Sequence, residues 1–168
     1  MYRGSKKPHC FTWIIWGLTT SVIFFSQLSE GAGPGAWVTG CSACLCFVIV
    51  GLSLWKNPDL HITRLDWVFF SAALCSLPLW YFTSTPLWSV VLLCGVDVAG
   101  YVPTLRKAYA LPHEESALLF AVQTVKCMLA IAALEVYSLT TVLFPATIGT
   151  MNLVLIGCIA AGHRRLSA

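Results

Sequence analysis

Six continuous apolar runs, at about 11–28, 36–55, 65–82, 87–105, 113–134 and 139–162, fill most of the chain, and short polar or turn-forming stretches separate them. Each run approaches the roughly 20 apolar residues that cross a bilayer. None alternates apolar and polar positions over about ten residues, as a membrane β-barrel strand does. The pattern predicts an all-α, polytopic membrane protein of six transmembrane helices, built as a single domain over 1–168. The punctuation agrees with it. A glycine-rich turn covers 30–35, Asn57-Pro58 marks a turn in the link 56–64, and a tight connection at 83–86 ends in a proline. Pro112, Glu114 and Glu115 form a helix-start signature for a fifth span beginning near His113. Asp66 falls in the first turn of the third span, where a carboxylate suits the positive end of the helix dipole. A basic start before an apolar run is also the pattern of a cleaved leader, but 26–33 makes a poor small-residue cleavage site, so the first run is kept as a span.

Composition sharpens this. Of 168 residues, 58% are hydrophobic and 10% charged, with mean hydropathy +0.79; a soluble domain carries about 25% charged residues. Six spans leave no length for a soluble domain. The net charge of +3 is explained by orientation, so nucleic-acid binding has no support. Nine of the ten Lys and Arg residues lie in the N-terminal tail, at 56–64, at 106–107 or at 164–165. With six spans all four places fall on one side, and the turns at 30–35, 83–86 and 135–138 carry no basic residue. Five or seven spans would scramble that alternation. By the positive-inside rule both termini are cytoplasmic. Trp37, Trp80 and Trp88 fall at outer ends and Trp13, Trp55 and Trp67 at inner ends, as aromatic belts do.

Against this background the polar residues inside the spans carry the functional information, because a charge at the bilayer centre costs roughly 2.5 to 3.5 kcal/mol even on the lenient insertion scale. Asp97 on the fourth span and Lys126 on the fifth are the two such charges. Consecutive antiparallel helices are usually neighbours, so the expectation is an intramembrane Asp97–Lys126 ion pair, serving either as a structural tie between helices or in substrate or proton handling. Asp97, Gly100, Tyr101 and Thr104 share one face of the fourth helix, and Gln123 and Lys126 share one on the fifth. Pro103 removes a backbone donor and crowds the preceding turn, which makes it a candidate hinge. Asn152 lies mid-depth in the sixth span between Gly149 and Gly157. Polar groups at one depth on three successive helices suggest a polar cavity.

The stretch Gly100-Tyr-Val-Pro-Thr-Leu-Arg-Lys-Ala-Tyr109, followed by Pro112-His-Glu-Glu-Ser116, resembles the signature of the PQ-loop superfamily, which includes the SWEET and SemiSWEET sugar carriers. The resemblance covers about 87–162. It implies a three-helix bundle in the second half, its first helix running from outside to inside, with Asn152 at the position of an asparagine that helps line the family's substrate site. Thr104 stands where that family has glutamine, and the first span has no proline motif. The whole chain is also similar to small uncharacterised bacterial inner-membrane proteins that share an Asp-x-x-Gly-x-x-Pro-Thr-x-Arg-Lys pattern. A bacterial inner membrane is therefore the expected location.

The reading that follows is a carrier of a small polar solute, passive or proton-coupled, through a cavity lined by Asp97, Gly100, Tyr101, Thr104, Gln123, Lys126 and Asn152. In it Asp97 is the proton or cation site, Pro103 the hinge and Asn152 a substrate hydrogen-bond partner. A second reading is a non-transporting subunit or scaffold whose Asp97–Lys126 pair fixes helix packing. A third is an outward-facing thiol protein using Cys41 and Cys44, three apart and hence on one helix face, although scattered cysteines also serve as small apolar residues. No Walker, dinucleotide-binding, zincin or nucleophile-elbow sequence is present, so neither catalysis, nor a cofactor, nor a metal is expected. The expected partners are the solute and the lipid bilayer, with self-association left open.

Overall fold

The computed structural model describes residues 10–55 and 64–167. Among them the chain is all helical, in the order α1 (Cys10–Ser29), α2 (Pro34–Trp55), α3 (Arg64–Thr83), α4 (Pro86–Ala110), a single 3₁₀ turn (Pro112–Glu114), α5 (Ala117–Ala132) and α6 (Leu139–Ser167). Pro34 and Pro86 each stand at the first position of their helix, where the missing N–H costs no hydrogen bond.

Three of these helices are long and apolar enough to cross a membrane: Pro34–Trp55, Pro86–Ala110 and Leu139–Leu166. The other three offer shorter apolar stretches, Trp13–Ser29, Phe70–Thr83 and Ala117–Ala132. The fifth helix starts later than expected. It starts at Ala117 rather than near His113, because Pro112–Glu114 closes a separate 3₁₀ turn and Ser116 then takes an extended conformation and caps α5, its side chain accepting from the Leu119 N–H at 3.4 Å. Sixteen residues span roughly 24 Å, short of the hydrocarbon core of about 30 Å.

Neighbourhood is decided by close approach at small residues. α1 and α2 form a hairpin in which Phe47 covers Gly17 and Phe24 covers Gly40, each within 3 Å of where a side chain would begin. α6 lies between α4 and α5 and packs on both, while α4 and α5 do not form a packed pair. α1 is the corresponding centre of the first half, packing on α2, α3 and α4. The turns at 30–33 and 133–138 are knitted together by two reciprocal backbone bonds. Gly35 N–H donates to Ala133 O at 3.0 Å, and Glu135 N–H donates to Ala32 O at 3.1 Å. Gly31 and Gly33 have φ of +73° and +62°, a region that disfavours side chains, and the space a side chain would need at Gly33 is filled by Glu135. Ala32, Ala36 and Leu134 are buried beneath this junction.

Apolar surface points outward on every helix. Trp37, Trp55, Trp67 and Trp88 are exposed, as are Leu118, Val122, Val125 and Met128 along α5, a surface consistent with a membrane protein.

Candidate functional site

Two apolar clusters clamp α4 against its neighbours. One joins Ile23, Ala73 and Leu93 with Phe144 packed against them. The other joins Ala108, Leu155 and Ile159, with Tyr101 and Leu105 against them. Along α4 and α6 the stretch between the clusters is polar: Asp97, Gly100 and Tyr101 on α4, Gly149 and Asn152 on α6. The i, i+4 spacing of Asp97 and Tyr101 puts both on one face.

The Tyr101 hydroxyl donates to Asn152 Oδ1 at 3.1 Å. Asn152 is 2% exposed, and its Nδ2 has no hydrogen-bond partner among the described residues. Exchanging the two ends of the carboxamide would only move the deficit, since Tyr101 would then accept from Nδ2 and leave Oδ1 bare. A buried amide with one end unmet costs about 1–3 kcal/mol. Asp97 is partly buried, and no hydrogen-bond or ion-pair partner reaches it among the described residues. Gly149 faces α5, where an added Cβ would meet Cys127 Cβ at 3.4 Å, an ordinary van der Waals contact. Beside Gly100 the space is open: an added Cβ would meet nothing within 4 Å.

Of the expected site residues the structure thus joins Tyr101 and Asn152 by a hydrogen bond and sets Asp97 on the same face of α4 one turn before Tyr101, with Gly100 between the two. Thr104 sits partly buried one turn further on. Gln123 and Lys126 do not join them. The expected Asp97–Lys126 pair is not made: Lys126 turns to α2 and donates from Nζ to Ser42 Oγ at 3.2 Å. The physical reason is the position of α6, which separates α4 from α5 and hands the Lys126 face of α5 to α2. Gln123, one turn before Lys126, lines a shallow concavity of about 470 Å³ together with Ser116, Leu118, Leu119 and Val122. α4 is helical through position 103, and the side chain of the candidate hinge Pro103 lies outside the described residues. Cys41 and Cys44 are exposed on α2 with free thiols.

Further buried polar contacts escaped the sequence reading. Gln27 is 1% exposed and donates from Nε2 to Thr141 O at 2.9 Å, tying α1 to α6. Ser89 donates to Ser76 O at 2.5 Å, tying α4 to α3. Gln27 stands near the end of the first apolar run, and a polar amide among apolar neighbours there was the available signal.

Compared with known proteins, the chain matches no family model, no curated protein and no solved structure.

Proposed function

We propose that the chain is an integral membrane protein crossing the bilayer six times, with both termini on the basic, cytoplasmic side of a bacterial inner membrane. In this reading it carries a small polar solute past a site formed by Asp97, Tyr101 and Asn152. The observation that carries the proposal is the Asn152 carboxamide: sunk between helices, bonded on one side to Tyr101 and bare on the other. In an apolar surrounding an unmet amide and an unpaired carboxyl on facing helices are costly unless something comes to meet them. A solute with hydrogen-bonding groups does so, and Asp97 can exchange a proton or cation with it.

The PQ-loop likeness is consistent with this. α4, α5 and α6 pack as a unit with α6 in contact with both others, and Ser116, the last residue of the motif, caps α5. The scaffold alternative loses its central contact, because Lys126 is bonded to Ser42 rather than paired with Asp97.

Uptake into proteoliposomes, measured over a panel of small polar solutes with and without a proton gradient, tests the reading. Wild-type protein is expected to take up at least one solute, Asn152→Leu to lose at least tenfold of that rate, and Asp97→Asn to lose its response to the gradient. A broad panel with no uptake in any condition would overturn the proposal in favour of a scaffold.

A further inference from the structure

The structure parts Asp97 from Lys126, and Lys126 faces α2 with no counter-charge beside it among the described residues. Its ammonium carries three N–H groups. One meets Ser42 Oγ at 3.2 Å, and Ser42 spends its own hydroxyl proton on Val38 O at 2.9 Å, so the oxygen offers Lys126 a lone pair. Among the described residues no carboxylate lies within ion-pairing distance of Lys126.

Depth makes that deficit costly. Ser42 lies eight residues along α2 from Pro34, roughly 12 Å from that end of a helix about 33 Å long. Helical side chains lean toward their own N-terminus. For α5 that direction leads away from the 133–138 turn, so the stem carries the ammonium toward the middle of the bundle instead of toward the nearer surface. A lone cation is costly at such depth.

α2 and α5 touch at Gly35, where an added Cβ would lie 2.6 Å from Ala130 O. One turn below Lys126 the surface is concave from Gln123 back to Ser116 at the start of α5.

We propose that Lys126, where α5 faces α2, is an anion site: Ser42 fixes the ammonium through one N–H, and its other two N–H groups hold the oxygens of a carboxylate or phosphate group. The group belongs either to a free solute or to a lipid headgroup. The site is separate from Asp97, Tyr101 and Asn152 and does not depend on transport by them.

Thermal unfolding of the full-length protein, followed by tryptophan fluorescence, tests it in two arms. In neutral phosphatidylcholine nanodiscs, sodium acetate or inorganic phosphate is titrated at ionic strength held constant with sodium chloride. In the second arm phosphatidylglycerol replaces part of the phosphatidylcholine and no oxyanion is added. A saturable site raises Tm by roughly 3–5 °C for each tenfold of free probe above its Kd. A response in the first arm identifies a free solute, one in the second a lipid headgroup. Lys126→Met abolishes the response and Lys126→Arg retains it; Ser42→Ala weakens it about three- to tenfold, and keeps the test open if Lys126→Met does not fold. Arg165→Gln, which removes a cation elsewhere, leaves it unchanged. No response in either arm, or an equal response in Lys126→Met, would sink the proposal.

Discussion

Tyr101 and Asn152 hold α4 to α6 through one hydrogen bond of 3.1 Å, and it is the only bond the buried carboxamide makes among the described residues. Removing the hydroxyl leaves both ends of the amide unmet. Tyr101→Phe is expected to destabilise the protein by about 1–3 kcal/mol. Adding Asn152→Leu, which takes away the amide as well, should restore most of that loss, because an apolar pair of similar shape has nothing left to satisfy. Denaturant unfolding of both single variants and the double variant in the same detergent measures the cycle. A double variant that loses the sum of the two single effects would contradict this account.

Asp97 and Lys126 face different neighbours, so their substitutions should act independently. Stability changes in Asp97→Asn and Lys126→Met are expected to add within about 0.5 kcal/mol in the double variant. A coupling energy above about 1 kcal/mol would mean that the two charges meet after all.

Glycines on α2 and α6 differ sharply in what they permit. Gly35→Ala drives a methyl group against the Ala130 carbonyl and Leu134 at 2.6 Å, and should cost about 1–3 kcal/mol by overpacking. Gly157→Ala meets nothing within 4 Å and should add about 0.5–1 kcal/mol by stiffening the helix. The order of the two melting temperatures relative to wild type decides the point.

Ser116 and not His113 begins α5, and this too has an observable. Ser116→Ala removes the cap and is expected to cost about 0.5–1 kcal/mol, the low end for such caps given the 3.4 Å contact. Amide exchange should quicken at Leu119 and Phe120, whose N–H groups point back to Ser116. Unchanged exchange at both would place the start of the helix elsewhere.

The helices were legible because apolar runs bounded by Pro34, Pro86 and polar links announce themselves at any packing. Asp97, Tyr101 and Asn152 were legible for a related reason: each is a polar group where hydropathy expects none. Their neighbours were not. Hydropathy treats Gln123 and Lys126 as one polar stripe and is silent on whether that stripe meets α4 or α2. The answer lies in fine sterics, in Gly35 admitting the Ala130 backbone. Ala130, one turn from Lys126 on the same face, shows the side on which α2 sits. The short α5 was hidden for another reason, since Pro112, His113 and Glu114 begin a 3₁₀ turn as readily as an α-helix.

The bonds from Gly35 to Ala133 and from Glu135 to Ala32 join segments about a hundred residues apart in the chain. The tip of the first hairpin is therefore incomplete until residues 133–135 have been made and have come back to it. Until then the Gly35 N–H and the Ala32 carbonyl lack these partners, and a chain stalled before residue 133 would present an unfinished tip.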